Sequence, residues 1–328
     1  MSAEAIYYDA ERSASLKDFS IAVLGYGSQG RAQALNLRDS GLNVRIANLT
    51  DSYVKIAEAD GFRIEAFSDA VKDADVVLML VPDHAQGEVY KKIEKNLKSK
   101  AMLIVSHGFS LYYKKMIPRH DLDVALLAPR MPGVPIREAY LDNHGVPAFY
   151  GVVNDISGAC RQKVLALADN LGYTKTGILE TNIEEETEVD LFIEQFLLPR
   201  LIHLLNESFM FLVDSGVSPE VAHMETYSSG ELSDLLKLSA KEGLYNAWKN
   251  HASPTCRFGL SQGIKKAEND TNYEQEMLNV LNGIRDGRFV KDLEIEYSND
   301  MSSLKDFDIK NEKRLLSVMQ KSIESLFK

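Results

Sequence analysis

The stretch SIAVLGYGSQGRAQALNLRDSG, residues 20–41, decides the fold of this chain. Its opening residues are apolar and strand-like, and Gly25, Gly27 and Gly30 follow in G-x-G-x-x-G spacing before a helical pattern. In this context the first glycine permits a tight turn, the second lets the backbone approach a pyrophosphate, and the third allows close helix–strand packing. The helix N-terminus adds N–H groups and the positive end of a dipole. The stretch predicts a dinucleotide-binding βαβ unit, with a glycine turn lacking a ligand as the alternative.

Short apolar runs alternate with amphipathic stretches throughout the first half of the chain. This rhythm predicts an α/β fold, a doubly wound parallel sheet of the Rossmann type with helices on both faces. The run VVLMLV is apolar at every position, as expected of a strand covered on both sides. The predicted strands are residues 20–25, 43–48, 74–81, 101–108, 123–129, 146–153 and 173–179.

The sequence changes character after about residue 180, where strand-like runs disappear and long helical patterns begin. Helices are predicted from Glu184 to Asp214 and from Lys310 to Phe327. We therefore expect two domains, a Rossmann dinucleotide-binding domain over residues 1–181 and an all-α domain over residues 182–328.

Composition excludes several classes of protein. A chain of 328 residues with 45% hydrophobic content can bury a sizeable core, and its formal net charge of −11 would repel a phosphate backbone, so nucleic acid is not an expected partner. The N-terminal segment is polar, and the longest uninterrupted apolar run, Val76 to Val81, is far too short for a membrane span. Cys160 and Cys256 offer neither a disulfide framework nor zinc spacing. We expect a cytoplasmic protein without a membrane partner.

The loops at the carboxyl ends of the predicted strands carry the expected cofactor contacts. Asp51 follows the second strand, where a carboxylate accepts from a ribose 2′-hydroxyl and repels a 2′-phosphate, so NADH is favoured and NADPH is a possible second cofactor. Asp51 as a cap of the next helix is the alternative. His84 is expected either at the cofactor or in a solvated loop. The other expected cofactor contacts are Tyr26, Ser28, Gln29, Asn48, Tyr53, Val81, Pro82, Asp83 and Gln86.

An acidic helix supplies candidate metal ligands. Asp190 and Glu194 are four residues apart on one predicted helix face, beside a strongly apolar stretch, and two such carboxylates with waters suit Mg²⁺. The preceding run, residues 184–186, is interpreted as charge that complements the helix dipole. Glu225 and Glu231 form a second acidic group, six residues apart, which does not fit one regular helix face. His107 and Arg130 each follow a buried strand at its carboxyl end and are candidate active-site residues.

These motifs together resemble the short form of ketol-acid reductoisomerase. GYGSQG, DADVVLMLVPD, HGF, APRMPG, TGILET, ETEVDLFIEQ and IRDGRF occur in the order and approximate spacing of that family, over nearly the whole chain. The resemblance implies a Rossmann domain followed by an entangled helical domain that binds metal and substrate and forms a homodimer or higher oligomer. It implies a 2-acetohydroxy acid or 2-keto acid substrate, an alkyl shift followed by hydride transfer, and a place in branched-chain amino acid biosynthesis.

The resemblance also implies roles for individual residues. Asp190 would bridge two Mg²⁺ ions and Glu194 would bind one of them and take part in catalysis, while Glu225 would act in the partner's site. His107 would lie near the nicotinamide, and Gly133, which ends APRMPG, would contact the cofactor. Ser253 would hold the substrate carboxylate.

Three departures from the family pattern lie among the expected substrate-binding residues. Arg130 stands where the family has lysine and is a far poorer proton donor or acceptor, because a guanidinium stays protonated in proteins. Ser229 stands where the family has a second glutamate, so either the helix is deformed at Gly230 to present Glu231 or a ligand is missing. His251-Ala252-Ser253 replaces Ser-Ile-Ser.

These departures leave more than one function open. One is an NADH-preferring ketol-acid reductoisomerase, and another is a reductase of the same fold that acts on a different 2-keto acid or an imine without alkyl migration. A third is a catalytically silent dinucleotide-binding protein.

Overall fold

The structure, a computed structural model, describes residues 5–6, 15–268 and 272–326. The chain forms two compact units, residues 1–189 and 190–328. The proposed domain boundary at 181/182 lies between the last strand of the sheet and the helix that contains the unit boundary.

A nine-stranded sheet forms the centre of the first unit. Its strand order is β1-β9-β8-β7-β6-β5-β2-β3-β4. Every residue of the three strands β5 to β7 is buried, and all but Asp123 are apolar or proline, as expected of strands covered on both faces. The strands are β1 Ala5–Ile6, β2 Ser20–Leu24, β3 Asn43–Ala47, β4 Ile64–Glu65, β5 Val76–Met79, β6 Met102–Val105, β7 Asp123–Pro129, β8 Ala148–Asn154 and β9 Ile178–Glu180.

The sheet is mostly parallel but differs in two places from the predicted arrangement. Strand β8 runs antiparallel to β7, and β1 runs antiparallel to β9. The predicted strand 173–179 is in fact a 3₁₀ turn, Tyr173–Lys175, followed by the short β9. The two-residue strands β1 and β4 are too short to give an alternating or apolar signal.

Helices cover both faces of the sheet, as expected of a doubly wound domain. Alternate residues of β2 divide between the two cores: Ile21 and Val23 pack on one face, and Ala22 and Leu24 on the other. Burial raises the pKa of the Cys160 thiol to about 12, so this cysteine is a protonated, inert core residue. The helices are α1 Ser28–Asp39, α2 Tyr53–Ala59, α3 Phe67–Lys72, α4 Asp83–Ile93, α5 Phe109–Tyr112, α6 Gly133–Leu141 and α7 Cys160–Leu171.

The described part of the second unit is helical. Helix α8, Ile183–Phe192, begins in the first unit and continues as a π turn, Ile193–Leu197, into α9, Leu198–Asp214. The predicted helix 310–327 is interrupted, because one helix ends at Glu312 and the next begins at Leu315, and Phe327 lies outside the described residues. The remaining helices are α10 Pro219–His223, a π turn Met224–Ser228, α11 Glu231–Glu242, α12 Leu244–His251, α13 Pro254–Ala267, α14 Asn272–Arg285, α15 Arg288–Ser298, α16 Ser302–Glu312 and α17 Leu315–Leu326.

The second unit leaves much apolar surface exposed. The continuous helix from Ile183 to Asp214 has a mean hydropathy of 1.4 in its most apolar window, and only 17% of that window is buried. By length and composition alone it could cross a membrane, although charged residues such as Glu194 and Arg200 interrupt its apolar sequence. Several large side chains on α9 are at least 60% exposed, among them Ile202, Leu204 and Phe211.

Candidate active site

The glycine loop between β2 and α1 has the geometry that its spacing predicts. Gly25 has a φ of 103°, donates its N–H to the Ala47 carbonyl at 2.8 Å, and passes so close to Leu80 that a Cβ would lie 2.6 Å from that residue's carbonyl oxygen. A Cβ on Gly30 would overlap the Gly25 carbonyl oxygen. Around Gly27, by contrast, no atom of the described residues lies within 4 Å of an added Cβ. The loop is therefore packed against the sheet at its ends and open in its middle.

The loop after β3 is tied to the glycine loop. The Tyr26 N–H donates to Asn48 Oδ1 at 2.9 Å, and the buried Tyr26 hydroxyl donates to Asp60 at 3.0 Å. Burial, reinforced by the Asp60 carboxylate, raises the pKa of Tyr26, so its hydroxyl stays a donor. Asp51 Oδ1 accepts from the Tyr53 N–H at 2.8 Å and from the Asn48 amide at 2.9 Å. Asp51 thus bonds to the first residue of α2, whose N-cap position is Ser52, and its Oδ2 takes part in neither bond.

The loop after β7 docks on the start of α1. The Gly133 N–H donates to Ser28 Oγ at 3.2 Å, and the Gln29 amide donates to the Met131 carbonyl at 2.9 Å. A Cβ on Gly133 would overlap the Ser28 carbonyl oxygen. The predicted cofactor residues Ser28, Gln29 and Gly133 thus lie together.

The loop after β5 leads directly into α4 and positions His107. Gln86 is buried and its amide donates to the Val81 carbonyl at 3.2 Å and to Asp83 Oδ1 at 3.1 Å. The other carboxylate oxygen of Asp83 lies 3.2 Å from Nδ1 of His107. His84 is exposed on the first turn of α4, as the solvated-loop alternative expects.

A buried carboxylate, Glu186, joins the ends of two neighbouring strands. Its Oε2 accepts from the Gly108 N–H at 2.8 Å, just beyond β6, and its Oε1 lies 3.4 Å from Nη1 of Arg130, just beyond β7. The Glu186 side chain is fully buried, whereas the Arg130 side chain is 25% exposed. A Cβ on Gly108 would overlap the Thr187 hydroxyl, so only glycine fits against this helix. One ligand atom of Glu186 also lies within 4.8 Å of one on His107.

Two family profiles match the chain almost end to end. The profile described as "Acetohydroxy acid isomeroreductase, NADPH-binding domain" matches residues 15–177, and "Ketol-acid reductoisomerase, C-terminal domain" matches residues 183–328. The chain belongs to the ketol-acid reductoisomerase family. The predicted resemblance is thereby confirmed.

Individual members of the ketol-acid reductoisomerase family match over most of their length. The enzyme named "Ketol-acid reductoisomerase (NADP(+))" of Pyrobaculum aerophilum is 39% identical over 305 residues, 92% of each chain. That of Sulfurisphaera tokodaii is 39% identical over 303 residues, 91% of this chain and 90% of its own. The protein is accordingly an oxidoreductase.

Solved structures confirm the predicted fold class. An NADH-preferring ketol-acid reductoisomerase from an uncultured archaeon is similar with a TM-score of 0.91 and 32% identity, covering 98% of this chain and 99% of that one. A pyrroline-5-carboxylate reductase from Coxiella burnetii has a TM-score of 0.60 at 14% identity, over 82% of this chain and 98% of its own. The second likeness is one of fold alone.

The structure explains how the chain departs from the family's second acidic helix. Glu225 is exposed within the π turn 224–228, Gly230 has a φ of 83°, and Glu231 is the exposed first residue of α11. The helix is therefore broken at Gly230, and the role of Glu231 as a metal ligand stays a prediction. Ser229 Oγ accepts from the Glu231 N–H at 3.4 Å, across this break.

The predicted metal ligands do not all gather within one chain. Asp190 is half-buried, one helical turn after Glu186 on α8, but Glu194 is exposed in a π turn that begins between it and Asp190. Such turns are frequent at functional sites. Within the described residues of the second unit, Glu194, Glu225 and Glu231 do not form a group of three ligand atoms within 4.8 Å.

Ser253 has a structural role in the single chain. It is the N-cap of α13, and its hydroxyl accepts from the Cys256 N–H at 3.2 Å. Its neighbour His251 lies at the end of α12 with Nε2 2.9 Å from Glu242 Oε1. The substrate role implied for Ser253 stays a prediction.

Glu186 is the residue that the sequence interpretation missed. It is the last residue of the acidic run 184–186, which was interpreted as dipole complementarity, a role that suits the exposed Glu184 and Glu185. The sequence does contain a signal for Glu186, because Glu186, Asp190 and Glu194 follow one another at intervals of four residues and should share a helix face.

Two alanine substitutions are expected to separate packing from cofactor binding in the glycine loop. Gly30→Ala should lower the free energy of unfolding by about 2 kcal/mol or more, because its Cβ overlaps backbone that cannot move aside. Gly27→Ala should leave stability within about 0.5 kcal/mol of wild type but weaken NADH binding roughly tenfold or more, because its Cβ enters the open space. Chemical denaturation and fluorescence titration with NADH measure the two effects. Equal effects of both variants on NADH binding, without a stability difference, would contradict this reading.

Proposed function

We propose that this protein is a Mg²⁺-dependent ketol-acid reductoisomerase that prefers NADH. Its reaction would convert a 2-acetohydroxy acid into a 2,3-dihydroxy acid in branched-chain amino acid biosynthesis, in the cytoplasm. The observation that carries the proposal is the buried Glu186, bonded to the backbone after β6 and paired with Arg130 after β7, one helical turn before Asp190. Polar groups at the carboxyl ends of adjacent strands are where folds of this kind bind ligands.

The residues present fit both implied ligands. The open space over Gly27, beside the first N–H groups of α1, suits a pyrophosphate, and the carboxylates of α8 and its π turn are the oxygen ligands that Mg²⁺ prefers. When bound, NADH supplies the hydride and Mg²⁺ polarises the substrate's oxygens. Asp83, at His107 Nδ1, favours the tautomer that carries its proton there and so fixes the orientation of the ring. Arg130 contributes a permanent positive charge beside the substrate.

A second function is favoured by Arg130 itself. Because a guanidinium hardly exchanges protons near neutral pH, it is a poor substitute for the family's lysine wherever the alkyl shift needs a proton transfer. The alternative is a reductase that reduces another 2-keto acid or an imine without alkyl migration.

One assay distinguishes the two functions. NADH oxidation is measured with Mg²⁺ on 2-acetolactate and on the already rearranged 3-hydroxy-3-methyl-2-ketobutyrate. Turnover of both substrates is expected for a ketol-acid reductoisomerase. Turnover of the rearranged keto acid alone, or of neither substrate, would overturn the ketol-acid reductoisomerase assignment and favour the reductase, whose substrate would then be sought among other 2-keto acids and imines.

The exposed apolar face of the second unit supports a homodimer or higher oligomer. A second copy would cover side chains such as Ile202 and Phe211, which are 65% and 72% exposed in the single chain. The match of residues 183–328 to one family domain argues that this helix belongs to a folded helical domain rather than to a membrane span. Light scattering in detergent-free buffer tests this, since a monomer or a detergent requirement would contradict it.

Asp51 is the residue to which we assign the cofactor preference. Asp51→Asn keeps an oxygen that can accept from the Tyr53 N–H but removes the charge that would repel a 2′-phosphate. The ratio of kcat/KM for NADPH to that for NADH is expected to rise roughly tenfold. Asp69→Asn, an exposed carboxylate on the first turn of α3, is the matched control. An unchanged ratio in Asp51→Asn would place the preference elsewhere.

A further inference from the structure

The antiparallel pairing of β7 and β8 brings an aromatic ring to Arg130. In the register of this pair, Ala128 lies opposite Phe149 and Pro129 lies opposite Ala148. The Arg130 N–H donates to the Pro147 carbonyl at 2.9 Å, so the same register continues for one more residue. Residues that are diagonal neighbours across an antiparallel pair share one face of the sheet and come within reach when one is long and the other aromatic. Arg130 and Phe149 are such neighbours.

Arg130 is held between this ring and a carboxylate. Its Cζ lies 5.1 Å from the centroid of the Phe149 ring, and its Nη1 lies 3.4 Å from Glu186 Oε1. A planar guanidinium stacks on an aromatic face while its edge stays available for hydrogen bonds, which the compact ammonium of lysine cannot do in the same way. The Arg130 side chain is 25% exposed and lies at the carboxyl end of β7.

We propose that Phe149 is a positioning residue, which fixes the plane of the Arg130 guanidinium so that one edge pairs with Glu186 and the rest faces the substrate. The link to the substrate rests on the proposed function, whereas the stack and the ion pair belong to the protein alone. Without the ring, Arg130 would sample more rotamers and would meet the reacting oxygen in fewer productive orientations.

Kinetic constants of ring-removing and ring-keeping variants test the proposal. Phe149→Leu is expected to lower kcat on 2-acetolactate about tenfold and to leave KM within about twofold, whereas Phe149→Tyr keeps the ring and should stay near wild type. In the Arg130→Lys variant, Phe149→Leu should lower kcat by a much smaller factor, because lysine has no guanidinium plane for the ring to position. Tyr140→Leu removes a ring that lies 5.5 Å from Arg137 Cζ on α6 and serves as the control for loss of a similar stack.

Thermal unfolding of the apo-protein provides a readout that does not depend on activity. The midpoint shifts of Phe149→Leu and Arg130→Lys are expected to be non-additive in the double variant, since the two side chains contact each other. If wild type turns over neither substrate while this coupling persists, the proposed function fails and the stack stands. Additive midpoints, or a Phe149→Leu enzyme with unchanged kcat, would overturn the role of Phe149.

Discussion

Replacing Asp190 with asparagine is expected to reduce Mg²⁺-dependent turnover by at least about 100-fold. Asp190 lies half-buried on α8, one turn after Glu186, and is the carboxylate to which the family resemblance gives the bridging position between two metals. Asparagine keeps the size and one oxygen but loses the charge that offsets a divalent cation. NADH binding should be unchanged, because the glycine loop that would hold it belongs to the first unit, between β2 and α1, whereas Asp190 is the first residue of the second unit.

The effect of Asp190→Asn is measured as initial rates of NADH oxidation over a range of Mg²⁺ concentrations, with NADH affinity by fluorescence. Asp214→Asn, an exposed carboxylate at the end of α9 in the same unit, is the control and should behave as wild type. Activity retained in Asp190→Asn with an unaltered Mg²⁺ requirement would show that the metal, if used, is bound elsewhere.

The Rossmann half of the fold is predictable because its signals are local. The strands β2, β3 and β7 and the glycine turn lie where apolar runs and G-x-G-x-x-G spacing place them. The tight contacts of Gly25 and Gly30 follow directly from that motif. The direction of each strand could not be predicted in this way, because an apolar run such as β8 has the same sequence pattern whether it pairs parallel or antiparallel with its neighbour.

The catalytic candidates depend on contacts that no local pattern contains. Glu186 stands in an acidic run whose other members are exposed, and only its packing under Gly108 and beside Arg130 distinguishes it. Phe149 gives no signal of its own, since an aromatic residue in a strand is ordinarily part of the core. Its position diagonal to Arg130 follows from the antiparallel register, which the sequence did not predict.

In the second unit the helical pattern could be predicted from the sequence, but the π turns within it could not. Helical periodicity predicts its first long helix, Glu184 to Asp214, but not the π turns at 193–197 and 224–228 that set the directions of Glu194 and Glu225. Its exposed apolar side chains are the observation on which we propose an oligomer. In that oligomer the acidic groups of this unit would lie near residues of a second copy.

Glu186→Gln is expected to lower both stability and turnover, the former by about 2 kcal/mol and the latter roughly 100-fold. The amide has only one oxygen, so it either accepts from the Gly108 N–H and turns its NH₂ group toward Arg130, or turns a neutral oxygen toward Arg130 and its NH₂ group toward the Gly108 N–H. The guanidinium then loses its buried counter-charge and the orientation that goes with it. Glu184→Gln, on the exposed face of the same helix, should change neither quantity.

The two effects of Glu186→Gln can be separated because Glu186→Asp keeps the charge but shortens the reach. If the carboxylate acts chiefly through its ion pair with Arg130, Glu186→Asp should recover part of the stability that Glu186→Gln loses. Where the shorter side chain still orients Arg130, it should also recover part of kcat, with little change in KM. Chemical denaturation and steady-state kinetics on both substrates measure this. A Glu186→Gln enzyme as stable and as active as wild type would mean that the buried ion pair is incidental and that Arg130 is oriented by Phe149 alone.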